Sequence, residues 1–93
     1  MEIRHTVLWH EKVRSQDFPK LSTTIKKRIR GAVEEKLTIN PLLFGKPLRL
    51  SLAGYRSLRV GDWRIVFRIE KQTVKIFLVA HRSVVYEEMF SRA

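Results

Sequence analysis

Between Tyr55 and Tyr86 hydrophobic and polar residues alternate in three short runs broken by two turns: YRSLRVGDWRIVFRIEKQTVKIFLVAHRSVVY. Alternation with a period of two marks strands whose faces differ in character. Gly61-Asp62 is a glycine-first, two-residue loop of the kind that closes a tight type II′ hairpin, which pairs Val60 with Trp63 and Arg59 with Arg64. Leu58, Val60, Trp63, Ile65 and Phe67 then share one face, and Tyr55, Ser57, Arg59, Arg64, Val66 and Arg68 the other. A third run, Thr73 to Ala80, follows the weaker turn Lys71-Gln72. A two-residue loop there predicts Lys75 beside Arg68, Val79 beside Arg64, and His81 on the arginine face.

Earlier in the chain, Ile3 to Trp9 reads as a first strand, with Ile3, His5, Val7 and Trp9 on one side and Trp9 a core anchor. His10 to Asp17 is expected as a short helix stopped before Pro19. Ser22 reads as an N-cap, opening a helix whose apolar stripe is Ile25, Ile29, Ala32, Val33 and Leu37. Lys26, Lys27, Arg28 and Arg30 make its outer face basic, which is either a solvated helix surface or a group of RNA-backbone contacts. Asn40-Pro41 ends this helix, and the loop 42 to 47 is expected to tuck Leu43 and Phe44 beneath it. Leu48 to Ala53 is ambiguous, with an extended reading open, and leads to Gly54 and the sheet. After His81-Arg82 the segment VVYEEMFSRA predicts a short helix capped by Ser83, placing Tyr86 one turn from Arg82. The fold class expected is α+β: one domain over residues 1–93, with a small, mainly antiparallel sheet in the order β-α-α-β-β-β and a short C-terminal helix, packed on a helical hairpin.

Charge sharpens the picture. Nineteen Lys and Arg against nine Asp and Glu leave a net charge of +10, which predicts affinity for polyanions. No apolar run is long enough to span a membrane and none near the start reads as a signal peptide, so a cytoplasmic protein without a membrane partner is expected. The chain has no cysteine, which excludes disulfides and thiol catalysis, and its three histidines lack metal-ligand spacing. No cofactor or metal is expected.

The arginine face is the candidate site. Like charges directly opposite each other destabilise a strand pair, and a bound anion relieves them. Arg59 and Arg64 therefore mark either a solvated basic surface or a phosphate site. Lys46, Arg49, Arg56, Arg68 and Lys75 extend the basic surface, and Tyr55 supplies a ring able either to stack on a base or to pack beneath the loop at Leu43-Phe44.

These residues carry a family resemblance. The strand pair Y-R-x-L-R-V-G-D-W-R-I-V-F (Tyr55, Arg56, Leu58, Arg59, Val60, Gly61, Asp62, Trp63, Arg64) and the final H-R-x-x-x-Y (His81, Arg82, Tyr86) resemble the RelE/ParE toxin superfamily over nearly the whole chain. The resemblance implies a RelE-like toxin of a type II toxin–antitoxin system. RelE-like members cut messenger RNA on the ribosome, ParE-like members inhibit DNA gyrase, and both are neutralised by a cognate antitoxin protein. His81, Arg82 and Tyr86 favour the RelE-like side: a ribosome-dependent mRNA endoribonuclease (an mRNA interferase) acting in translation inhibition. The alternatives are a gyrase inhibitor without nuclease activity and an inactive, basic RNA-binding domain. Some RelE enzymes carry lysines on the strand before the hairpin turn, where this chain has Arg56 and Arg59; arginine stays protonated, so no proton transfer is implied for them.

Metal-free RNA cleavage needs cations at the phosphate, a base at the 2′-hydroxyl and help for the leaving 5′-oxygen. Arg59, Arg64 and Arg82 are the candidates for the phosphate, since the planar guanidinium fits its oxygens. His81 and Tyr86 are the candidates for acid and base, in either order.

Overall fold

A computed structural model describes residues 4–92, so Ile3 lies outside the described residues. Its frame is a five-stranded sheet of β1 (Thr6–Trp9), β2 (Lys46–Pro47), β3 (Arg56–Val60), β4 (Trp63–Glu70) and β5 (Thr73–His81), arranged β1-β5-β4-β3-β2. β1 runs parallel to β5, and every other neighbouring pair is antiparallel. Among the described residues no helix is long and apolar enough to cross a membrane.

Helical segments cover one face of the sheet. Val13–Asp17 forms a wide turn that tightens into Phe18–Lys20. The helix α1 (Thr23–Ala32) follows and continues as wider turns over Val33–Leu37. Ser22 caps α1, its hydroxyl accepting from the Ile25 N–H at 3.2 Å, as its position predicts. The expected stripe is the one used: Ile29, Val33 and Leu37 are buried against Leu58, Ile65, Phe67 and Ile76, with Ile25 and Ala32 packed beside them. Burying an aliphatic side chain of this size contributes about 1.5–3 kcal/mol, so this stripe holds the helix on the sheet. Helical backbone does not stop before Pro19 as expected. Pro19 sits in the first turn of the tightened segment, where its missing N–H leaves nothing unpaired.

The segment after α1 also departs from expectation. α2 (Pro41–Phe44) is a single turn capped by Asn40, which accepts from the Leu43 N–H at 3.2 Å. Leu43 and Phe44 are not tucked in; they are 70% and 41% exposed. Pro41 and Gly45 are buried in their place, with Gly45 so close to Phe67 that a Cβ would lie 2.2 Å from that ring. Only Lys46–Pro47 is extended, paired to β3, whereas Leu50–Leu52 is a tight turn rather than strand.

On the other face of the sheet, α3 (Val85–Arg92) covers a second apolar cluster of Leu52, Val66, Leu78, Ala80, Val85 and Met89. The β3–β4 hairpin has the expected register, with Val60 opposite Trp63 and Arg59 opposite Arg64. Gly61 carries the positive φ of +59° that a glycine-first turn requires. Lys71 takes the same position in the next turn at φ +56°, without glycine's freedom.

From that turn the β4–β5 register begins as predicted, with Lys75 opposite Arg68, and then slips. Phe67 pairs with Ile76 but Val66 pairs with Leu78, leaving Phe77 as the extra residue of a bulge. Every later residue of β5 therefore changes face. Ala80, not Val79, stands opposite Arg64, and His81 stands opposite Trp63 on the helix-covered side.

The bulge lies where β5 outruns β1. The last of the β1-side ladder is the bond from the His10 N–H to the Ile76 carbonyl at 2.8 Å. Beyond it, Asp17 Oδ2 accepts from the Val79 N–H at 2.9 Å and Arg92 Nη1 donates to the Phe77 carbonyl at 3.1 Å. The two side chains also pair with each other in a fork, Nη1 to Oδ2 and Nη2 to Oδ1, each at 2.8 Å. Their side chains are 4% (Arg92) and 3% (Asp17) exposed. This pair occupies the edge of the bulge and bolts the far end of α3 to the first helical segment.

Candidate functional site

The α3-covered face opens into a cleft of about 230 Å³ near the β3–β4 hairpin. Val66, Val85, Met89 and Leu48 form its apolar floor and wall, while Ser57, Arg64, Arg82 and Tyr86 bring polar groups to it. Arg64 projects from β4, and its Nη1 donates to the carbonyls of Gly61 and Trp63, both at 3.0 Å. These contacts anchor the guanidinium against the turn and give the Arg59–Arg64 pair a partner other than an anion. Arg59 lies opposite in register and is exposed. Arg82 follows the end of β5, where its own N–H bonds the Asp62 carbonyl at 2.8 Å. Its side chain is 61% exposed, with Nε 3.7 Å from Asp62 Oδ1, so little holds it back from an incoming anion. Tyr86, 58% exposed, rides on the first turn of α3, which Val85 and Met89 anchor in the apolar cluster.

Sequence pattern thus brings together Arg64, Arg82 and Tyr86, with Arg59 across the hairpin. It does not bring His81. The bulge turns that ring to the opposite face, edge-on to Trp63 at 5.5 Å between ring centres. There its Nδ1 accepts from the Ser83 N–H at 3.1 Å and lies 2.8 Å from the Ser83 hydroxyl, the group expected to cap α3.

The RNA-contact candidates divide in the same way. Lys46 and Arg49 are exposed. Arg56 belongs to the fold: it pairs with Phe67 on the helix side, and its Nη2 donates to the carbonyls of Gly45 at 2.7 Å and Leu42 at 3.2 Å, clamping the loop that α2 begins. Arg68 lies over the Tyr55 ring at 5.4 Å, and both Arg68 and Lys75 reach Glu70, at 3.5 Å and 2.5 Å. The hydrogen bond from Lys75 holds the Glu70 carboxyl below its ordinary range, with the charges of Lys75 and Arg68 acting in the same direction. Tyr55 packs on Phe77, 5.3 Å between ring centres, and not beneath Leu43-Phe44.

Four further residues shape this face. Ser57 alternates with Arg59, so its place beside the cleft was visible from the strand pattern. Glu70 follows the same alternation from Arg68. Asp17 and Arg92 are 75 residues apart, and no local pattern connects them.

Comparison with known proteins decides the family. The model of the ParE toxin of type II toxin–antitoxin systems matches residues 7–86. The chain belongs to the RelE/ParE superfamily of toxins. Within it, the chain is similar to the toxin RelG of Mycobacterium tuberculosis, 45% identical over 65 residues that make up 63% of this chain and 75% of RelG. In structure it resembles a chain of the toxin–antitoxin complex RelBE2 from Mycobacterium tuberculosis, with a TM-score of 0.80 and 36% identity across 86% of this chain and 100% of that one. A chain of the RelB–RelE complex from Methanococcus jannaschii matches with a TM-score of 0.69 and 25% identity, over 87% of this chain and 96% of that one. The protein is thus a RelE-family toxin of a type II toxin–antitoxin system with the RelE-like α+β fold.

Proposed function

We propose that this toxin is a ribosome-dependent endoribonuclease that cuts messenger RNA without a metal ion. The observation that carries the reading is the convergence of Arg64, Arg82 and Tyr86 on one cleft. In the reaction the 2′-oxygen forms a bond to phosphorus, the bond from phosphorus to the 5′-oxygen breaks, and the 2′-proton leaves for a base. Arg64 and Arg82, with Arg59 at the edge, stabilise the charge that builds on the phosphate oxygens. Tyr86 takes the role of base, since His81 lies across the sheet, and the leaving oxygen gains its proton from water at the open rim. A site with this little acid–base equipment fits an enzyme whose substrate geometry is imposed by the ribosome. Its neutralising partner would be an acidic antitoxin, in keeping with the net charge of +10 and with the complexes formed by the similar RelBE2 and RelB–RelE.

The test is cell-free translation with the purified chain, mapping messenger RNA ends by primer extension with and without ribosomes. Ribosome-dependent cuts that disappear with Arg64→Ala and Tyr86→Phe support the reading; intact messenger RNA, or strong cleavage of naked RNA, overturns it. The ParE family model favours one other function, inhibition of DNA gyrase, which a supercoiling assay on the same preparation detects.

A further inference from the structure

We propose that a second cleft on the arginine face binds an unpaired nucleobase of RNA flanking the phosphate held at Arg64 and Arg82, an inference that rests on the RNA-directed function above. This cleft, of about 250 Å³, lies on the same side of the sheet as the first but toward β1. The bulge creates it. Phe77 and Leu78 are consecutive yet both face α3, so β5 offers two side chains where a regular strand would offer one. Leu78 fills the apolar cluster, and Phe77 is left half-buried at its margin.

Three rings meet there. Tyr55 and His10 flank Phe77, each with its ring centre 5.3 Å away. His10 is held in place by its own loop, its Nδ1 accepting from the Lys12 N–H at 3.0 Å. Arg68 lies over Tyr55 and Lys75 lines the same cleft. Cations interleaved with aromatic rings are the chemistry that holds single-stranded RNA: guanidinium planes and rings stack on a base, and charge follows the backbone. Glu70 adds a carboxylate acceptor between the two cations, suited to a base amino group and unsuited to phosphate. The ligand assigned to this cleft is therefore the base, with the phosphate assigned to the first. Arg64 and Arg68 are four residues apart on one face of β4, about 13 Å along the strand, a separation that suits a base near the held phosphate but not the nucleotide being cut.

The test is binding of the full chain to a short single-stranded RNA carrying 2′-deoxy sugars, which prevent cleavage, followed by fluorescence anisotropy. A matched series makes one nucleotide at a time abasic. With the wild-type chain, one abasic position is expected to weaken binding by about tenfold. Tyr55→Leu and Phe77→Leu are expected to weaken intact RNA by a similar factor, add nothing on that abasic RNA, and leave the salt dependence unchanged. Arg68→Gln, an exposed change that spares the fold, is expected to weaken intact RNA more than the abasic RNA, because its guanidinium plane lies over Tyr55 beside the base. No abasic position that matters, or equal losses on intact and abasic RNA, would overturn the subsite. So would ring variants that bind RNA normally but lose an acidic peptide, which would make the cleft a protein dock. Because no step of the assay requires cleavage, base-dependent binding alongside intact messenger RNA in the translation assay would count against the nuclease and leave the subsite standing.

Discussion

Arg92→Ala removes one half of the buried fork at the β5 bulge. Both side chains are almost fully enclosed, and the guanidinium makes two bonds to Asp17 and one to the Phe77 carbonyl. Losing it leaves the Asp17 carboxylate buried with the Val79 N–H as its remaining partner, and the Phe77 carbonyl without Arg92. Breaking one side of a buried pair costs about 3–5 kcal/mol, against a total stability of about 5–15 kcal/mol for a domain. At about 4–8 °C per kcal/mol for a chain of this size, the melting temperature should fall by roughly 12–40 °C. Arg92→Lys should recover only part of this, because an ammonium cannot reproduce the fork. Replacing both partners, Asp17→Leu with Arg92→Met, should cost less than Arg92→Ala alone, since no charge is stranded. The remaining cost, about 1–3 kcal/mol for each unpaired group, would come from the Val79 N–H and the Phe77 carbonyl. The Asp17 hydrogen bond raises the pKa of Arg92 above its ordinary value. A raised cation stabilises the fold below its ordinary pKa and loses that contribution only as pH rises through the raised one, so the Arg92 contribution should persist throughout the neutral range. Thermal melts followed by circular dichroism, with hydrogen exchange at the Val79 amide, make the measurement. A melting temperature within a few degrees of wild type for Arg92→Ala would refute the assignment of this pair as the bolt of the bulge.

Four shorter predictions follow from the same geometry. His81→Ala should leave ribosome-dependent cleavage within a few-fold of wild type while Tyr86→Phe abolishes it, because only Tyr86 lines the arginine cleft; equal losses in primer extension would count against that arrangement. Lys71→Gly should stabilise the chain by roughly 0.5–1 kcal/mol, relieving a positive φ in a turn that favours glycine, and a higher urea midpoint at unchanged slope would show it. Gly45→Ala should cost about 1–3 kcal/mol in the same titration, since the new Cβ overlaps the fully buried Phe67. Glu70, ordinarily near 4.5, is held lower first by the Lys75 hydrogen bond, so its pairing stabilises the fold above that value and fades as pH falls through the lowered one. The difference in melting temperature between wild type and Glu70→Gln should therefore shrink below about pH 4.5 and in high salt.

What the sequence made legible, and what it did not, turns on how each register is fixed. The β3–β4 hairpin was readable because glycine-first turn chemistry and two-faced alternation agree: Gly61 sets the loop, and apolar and charged residues sort cleanly around it. That agreement was enough to put Arg64 on a named face and, with Arg82 and Tyr86 one helical turn apart, to assemble most of the cleft. β5 offered neither signal. Its turn begins with Lys71, and Ile76 to Ala80 is apolar at every position, so a one-residue slip exchanges one buried side chain for another and leaves no mark in the pattern. The choice between the two registers falls to groups outside the strand. Asp17 and Arg92 satisfy the backbone at the bulge, and they come from opposite ends of the chain. Local reading takes each as an ordinary surface charge. The consequence for function is direct: the slip removes His81 from the arginine cleft and delivers Phe77 to Tyr55, so a single unpaired residue redistributes the candidate chemistry over both faces of the sheet. Deleting Phe77 would therefore be expected to do more than leave a cavity. It would let β5 pair without a bulge while Leu78 to His81 keep their present partners, so His81 should stay opposite Trp63; Arg92 would lose the Phe77 carbonyl, and the change in melting temperature would measure what that bond and the Phe77 ring contribute together.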